Sequence, residues 1–150
     1  CTVGGTDATD SIADLFAQLD REDVQYLLVT GIAIAWYNVI DLRELHAAVD
    51  RPVLSVTFED SDGLEEPLRE AFEDEGLERR LSTYRDQPPR EPVELDHGTA
   101  YVRAVGIEPS AARDVVRGFT PEGGRPEPIR VARMAARAAD AYRDQVTPRS

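Results

Sequence analysis

The most apolar run of the chain, Tyr26 to Asp41, limits the fold more than any other stretch. Its first four residues, Tyr26 to Val29, lack the alternation of polar and apolar side chains that marks a half-exposed strand. This pattern predicts a strand that is buried on both faces, at the centre of a sheet covered by helices. Thr30 and Gly31 follow at the expected end of the strand, and in open α/β sheets ligands collect at that end.

Apolar periodicity divides the rest of the chain into alternating strands and helices. Val53 to Phe58 is predicted to be a strand whose even-numbered residues face the core. A strand is also predicted over Thr99 to Ile107, near a sheet edge because Arg103 lies inside it. The proline-rich segment Gln87 to Pro92 is predicted to be an irregular loop. Helices are predicted around the apolar stripe that begins at Ile12, after Asp41 through Val49, from Leu64, over Leu77 to Tyr84, from Pro109, and over Pro128 to Gln145.

The length of 150 residues fits a single domain, and neither an internal repeat nor a long linker divides the chain. Alternating strands and helices therefore predict one α/β domain over residues 1–150. The single cysteine, Cys1, excludes an internal disulfide and favours a cytoplasmic location. No apolar run reaches the roughly 18 residues of a membrane span, so a membrane is not an expected partner.

The charged residues are mostly acidic, and the basic ones are of a single type. The net charge is −12, and all 17 basic residues are arginine. An acidic surface without lysine predicts a halophilic, salt-adapted cytoplasm, because strong screening weakens the repulsion between like charges. A GC-rich genome, which favours arginine codons, is the alternative explanation. In a salty cytoplasm a local arginine patch can still act on nucleic acid at short range.

Four segments occur together in the order of one archaeal family. They are TVGGTDAT (Thr2 to Thr9), GIAIAWYNVID (Gly31 to Asp41), YVRAVGIEP (Tyr101 to Pro109) and PEPIRVAR (Pro126 to Arg133). Through them the chain resembles the endonuclease dU family. The resemblance implies a ribonuclease H-like fold akin to endonuclease V, an α/β fold with a mixed sheet flanked by helices. It also implies DNA as the partner and a DNA-repair endonuclease that cuts at deoxyuridine, a product of cytosine deamination.

Nucleases of this kind use carboxylates to hold one or two divalent ions, and the resemblance therefore implies Mg²⁺ or Mn²⁺ as the cofactor. The carboxylates of the matching motifs are Asp7, Asp10 and Asp41. Under the family interpretation all three are candidate catalytic residues, and Asp7 is the metal ligand. From spacing alone, Asp7 is instead an N-cap of the first helix, and Asp10 suits the positive end of the helix dipole.

The chain departs from the family pattern at three places. Family members begin with a further segment that supplies a first strand and an early carboxylate, so N-terminal strands are expected to be missing from this chain, an N-terminally truncated domain. Thr30 stands where many members carry an acidic residue. Arg133 stands where a histidine is frequent. The alternative function is therefore a catalytically inactive member that binds nucleic acid or a protein partner.

Arginines of the last helix are the candidate contacts to a nucleic-acid backbone. Arg130, Arg133 and Arg137 share one helix face, and with Arg125 they can meet phosphate oxygens in bidentate geometry. The alternative is a helix surface with mixed ion pairs, because acidic residues continue the same face. Trp36 and Tyr37 either stack on a base or pack in the core. The sequence leaves a homo-oligomer open.

Overall fold

The computed structural model of the chain describes residues 1–73, 75–122 and 124–146. Helices and strands follow one another along them, singly or in short runs. The helices are α1 (Ala8–Leu19), α2 (Leu42–Val49), α3 (Glu65–Ala71), α4 (Glu75–Arg85), α5 (Pro109–Gly118) and α6 (Glu127–Val146). The strands are β1 (Leu27–Val29), β2 (Ala33–Ile34), β3 (Asn38–Val39), β4 (Val53–Thr57), β5 (Glu91–Leu95) and β6 (Gly98–Val105).

Four of the strands form a mixed sheet in the order β1-β4-β6-β5. β1 and β4 run parallel, whereas β6 is antiparallel to both β4 and β5. Helices lie on both faces of this sheet, so the predicted α/β class with a mixed sheet flanked by helices is confirmed. β2 and β3 form a separate antiparallel hairpin within the segment that follows β1.

The predicted central position of β1 is wrong for the part of the chain that the structure describes. There β1 pairs with β4 alone and lies at one edge of the sheet. The apolar run has another cause, since both faces of this short strand are packed. Leu28 joins the core on one face of the sheet, and Leu27 and Val29 join the core on the other. Burial of both faces does not fix the number of neighbouring strands.

The two faces of β4 confirm the predicted alternation. Leu54 and Val56 are fully buried in the core that α5 and α6 cover, and Phe58 packs at its border. On the opposite face, Val53 belongs to the core under α1 and α2. Further along that face the apolar cover ends, and the side chains of Ser55 and Thr57 line an open cavity.

Two predictions about the part of the sheet formed by β5 and β6 are wrong. β6 lies between β4 and β5, so it is an inner strand in spite of Arg103. β5 begins at Glu91 and includes Pro92, where an irregular loop was predicted. Proline is tolerated there because β5 is an edge strand in the described sheet, and the missing N–H need not serve a second neighbour. Arg103 is accepted because its face of β6 borders the open cavity.

The predicted ends of the later helices agree well with the structure. α5 begins at Pro109, where the missing N–H costs no helical bond, and it buries Ala112 and Val116. α6 buries Ile129 near its start, and its described residues from Arg130 onward are exposed. Neither α6 nor any other helix in the described ranges is long and apolar enough to cross a membrane.

Candidate functional site

Asp7 stands at the N-cap position of α1, but its carboxylate does not cap the helix. Instead it accepts hydrogen bonds from the Thr2 backbone N–H at 2.9 Å and the Thr2 hydroxyl at 2.9 Å. It accepts another from the Asn38 side-chain amide at 2.7 Å. Asp7 therefore fixes the segment that precedes α1 against the β2–β3 hairpin, a role that neither sequence interpretation predicted.

Asn38 is the fully buried centre of this network. Its side-chain oxygen accepts from the Ala8 N–H at 2.9 Å, and thereby caps α1 from a different element of the chain. Its side-chain nitrogen donates to the Thr2 carbonyl at 2.8 Å and to Asp7. One amide thus satisfies two backbone groups and one carboxylate that lie 30 to 36 residues away in sequence.

The hydrogen bonds to Asp7 lower its pKa from 3.8 to about 2, first through the Thr2 backbone and then through the side chains of Asn38 and Thr2. The pKa of Glu65 is likewise lowered from 4.5 to about 2, by Arg85 and then Arg69. Both carboxylates therefore stabilise the folded chain when ionised. This stabilisation is present above the unfolded pKa values and is lost as pH falls toward about 2.

We accordingly expect acid to unfold the protein in part through these two carboxylates. In urea titrations at a series of pH values from 5 to 2, Asp7→Asn should give a shallower fall of unfolding free energy with decreasing pH than the unmodified chain. Glu65→Gln, at a separate ion-pair site, should flatten the same curve independently. Parallel curves for Asp7→Asn and the unmodified chain would contradict a native role for the ionised Asp7 carboxylate.

Asp10 and Asp41 line a narrow cleft together with Glu44, away from the hydrogen bonds of Asp7. Asp10 is exposed in the first turn of α1. Asp41 is the N-cap of α2, and its Oδ1 accepts from the backbone N–H groups of Arg43 at 2.9 Å and Glu44 at 3.0 Å. The helix predicted after Asp41 through Val49 is thus confirmed, with Asp41 as its N-cap, and Oδ2 is the atom through which Asp41 would bind a ligand.

These carboxylates do not fit a complete metal site in the described part of the chain. Nowhere in residues 1–73, 75–122 and 124–146 do three His, Cys, Asp or Glu side chains come together so as to hold a metal ion. Asp7 faces Thr2 and Asn38 and does not line the cleft of Asp10 and Asp41. The catalytic and metal-binding roles of the three aspartates remain predictions.

The tip of the β2–β3 hairpin has an unusual backbone. Ala35, Trp36 and Tyr37 have φ angles of 42°, 56° and 52°. All three lie in the left-handed region, which residues other than glycine rarely adopt. Such strain persists where surrounding contacts impose it, and it is frequent at functional sites. Here the Ala35 carbonyl accepts from the Gly4 N–H at 2.7 Å, which ties the tip to the N-terminal segment.

Arg80 of α4 is the second tether of the tip. Although only 5% exposed, it donates to the carbonyls of Tyr37 at 3.1 Å, Gly76 at 2.9 Å, Gly4 at 2.5 Å and Gly5 at 2.9 Å. Its guanidinium also lies 3.9 Å from the centroid of the Phe72 ring. The charge is therefore solvated by backbone dipoles instead of water.

The two aromatic residues of the tip, Trp36 and Tyr37, differ in how they are packed. Tyr37 packs edge-on against Phe72 in a small core with Leu68 and Leu81, which agrees with the core-packing alternative. Trp36 remains 57% exposed. Trp36 is therefore the more accessible of the two to a stacking partner, since Tyr37 is half-buried against Phe72.

The four candidate arginines fall into two groups in the structure. Arg125 and Arg130 line a cavity of about 440 Å³. There Arg125 stacks over Phe58 and Arg130 is paired with Glu127 at 2.8 Å. Arg133 and Arg137 lie further along α6 on its exposed part. The ion pair of Arg130 matches the alternative of mixed surface pairs, and phosphate binding by the four arginines remains a prediction.

Comparisons with known proteins agree on one group. Residues 1–140 match the sequence model of a family described as Endonuclease dU. A UPF0215 protein of Thermococcus kodakarensis is 35% identical over 139 residues, which are 91% of this chain and 69% of that protein. A UPF0215 protein of Pyrobaculum aerophilum is 34% identical over 139 residues, 91% of this chain and 73% of that protein.

The fold also has a solved counterpart. A crystal structure of a protein of unknown function from Archaeoglobus fulgidus matches with a TM-score of 0.78. The match covers 91% of this chain and 77% of that chain at 24% sequence identity. At this identity the likeness establishes the fold alone.

Proposed function

The chain belongs to the endonuclease dU family, and from this premise we propose that it acts on DNA that contains deoxyuridine. Membership over residues 1–140 is the observation that carries the proposal. The family description names a nuclease, which makes nucleic acid the substrate class. The exposed face of Trp36 supports it, since indole rings stack on bases.

Cleavage in such a family would draw on a divalent ion that activates water and stabilises the leaving oxygen. The described carboxylates do not assemble three ligands, so we assign no catalytic step to them. The three aspartates have separate local roles instead. Asp10 and Asp41 place negative charge on one cleft, and Asp7 holds the segment that carries the strained tip.

A second candidate is a family member that binds DNA without cutting it. The specific observation in its favour is the bonding of Asp7, whose two oxygens are both occupied by Thr2 and Asn38. Thr30, at the end of β1, offers a hydroxyl where a carboxylate would be a stronger ligand. DNA binding is common to both candidates, and strand cleavage separates them.

A nicking and binding assay tests the proposal. We expect the protein to bind an oligonucleotide containing one deoxyuridine more tightly than the matched thymidine oligonucleotide, and to nick it when Mn²⁺ is added. Asp10→Asn and Asp41→Asn should each abolish nicking if their cleft is catalytic. Binding without nicking would favour the second candidate. Equal affinity for both oligonucleotides would contradict deoxyuridine recognition.

A further inference from the structure

The open cavity beside β4 is lined by a second set of arginines. It has a volume of about 490 Å³ and lies at the carboxyl ends of the parallel strands β1 and β4. Arg103 stands opposite Ser55 in the sheet and Tyr101 opposite Thr57, so their side chains project from one face. Arg90 and Tyr84 close the cavity from the sides.

Arg90 is held firmly at the wall of this cavity. Its guanidinium lies 4.1 Å from the centroid of the Tyr101 ring. It donates to the Thr57 hydroxyl at 3.1 Å and to the Glu59 carbonyl. Its carboxylate neighbour, Asp60, is 4.0 Å away and 85% exposed, a weak and screened pair.

Arg103 is the deeper of the two cations. Burial lowers the pKa of its guanidinium, and the positive charge of Arg90 acts in the same direction, whereas Tyr84 opposes both. It donates to the Pro88 carbonyl, and its guanidinium lies 5.7 Å from the centroid of the Tyr84 ring. A guanidinium has five N–H donors, so this bond leaves donors for a ligand. Among the described residues Arg103 forms no ion pair with a carboxylate, although the chain has 29 acidic residues.

Arg90 and Arg103 repel each other in this half-buried cavity, and the exposed carboxylates of Asp60 and Asp62, which also line it, are screened by water and offset this cost only in part. A phosphate group would remove this cost, because its oxygens match the planar fork of guanidinium donors. Stacking of Arg90 on Tyr101 fixes the plane of the fork. Three of its five N–H groups donate to Thr57, Glu59 and the Ser61 carbonyl, and the remaining ones are left for a ligand. Ser55 and Thr57 add hydroxyls at the floor of the cavity.

We propose that this cavity binds a phosphate group through Arg103 and Arg90. The assignment of that phosphate to a DNA strand rests on the proposed function, whereas the anion site itself does not. The cavity also contains Gly31, which follows β1, with Thr57 beside it. A strand bound there would therefore pass the end of β1, where the sequence predicts ligand binding.

Phosphate binding is tested first without DNA. Thermal unfolding is compared in inorganic phosphate and in chloride of equal ionic strength, for the unmodified protein, Arg103→Gln, Arg90→Gln and Arg21→Gln. Arg21 is the matched control, an arginine paired with Asp23 on the exposed surface. Phosphate should raise the Tm of the unmodified protein and of Arg21→Gln, by mass action on the folded state. This shift should be lost in Arg103→Gln and strongly reduced in Arg90→Gln.

A short single-stranded oligonucleotide then identifies the source of the phosphate. Its Kd should rise roughly tenfold in Arg103→Gln and the salt dependence of binding should fall by about one ion. If Arg103→Gln does not fold, Arg103→Lys keeps the charge without the fork, and Arg90→Gln tests the same cavity. An equal phosphate shift in all variants would overturn the site. An arginine-dependent phosphate shift without oligonucleotide binding would support the anion site and count against the proposed function.

Discussion

Replacing Asn38 by leucine is expected to lower the free energy of unfolding by about 3 kcal/mol, because each buried polar group that is left without a hydrogen-bond partner costs about 1–3 kcal/mol. The Ala8 N–H and the Thr2 carbonyl would both be left without the Asn38 amide, and Ala8 is fully buried. Leucine keeps the branched shape of the side chain but is larger, so overpacking adds to the loss of hydrogen bonds. Urea unfolding at neutral pH measures it.

The control for this variant is Gln25→Leu, which removes an exposed side-chain amide. Its effect should stay within about 0.5 kcal/mol. Asn38→Asp is a useful third variant, since it keeps an acceptor for the Ala8 N–H and sets a second carboxylate beside Asp7. A loss below about 1 kcal/mol for Asn38→Leu would mean that water replaces the amide, and that Asn38 does not hold the network together.

Arg80→Met should have a comparably large effect, about 4 kcal/mol, because the carbonyls of Tyr37, Gly4 and Gly5 lose this donor and the ring of Phe72 loses its cation. The methionine chain fills part of the volume, so a cavity contributes little. Arg80→Lys should recover less than half of the loss, because one ammonium cannot reproduce the fork of donors.

Arg79→Met is the matched control for this prediction. Arg79 is the exposed neighbour on the same helix, and its replacement removes the same charge. We expect a change within about 0.5 kcal/mol. If Arg79→Met and Arg80→Met destabilise the protein equally, net charge and not the carbonyl contacts would explain the effect of Arg80.

The sequence predicted those features that depend on near neighbours in the chain. Asp41 caps α2 through N–H groups two and three residues later, and Pro109 begins α5 by its own geometry. The alternation in β4 likewise depends on residues next to each other. The apolar run at β1 showed that both faces are packed, but the number of neighbouring strands is set by residues far along the chain.

The candidate site was harder to predict because its contacts are remote in sequence. Arg80 reaches Gly4 across 76 residues, and Asn38 reaches Ala8 across 30. One signal for the arginine cavity was present. Ser55 and Thr57 alternate with apolar residues in β4, and Tyr101 and Arg103 do so in β6, which points to a polar area on one sheet face. Arg103 was instead interpreted as a mark of an edge strand.

The strained hairpin tip also determines what tryptophan fluorescence measures in this protein. Trp36 is the one tryptophan of the chain, and it lies at the tip and not in the core. Its indole emission therefore follows release of the tethers to Gly4 and Arg80, whereas far-ultraviolet circular dichroism follows the helices. Local opening of the tip and global unfolding are thus optically distinct events in this protein.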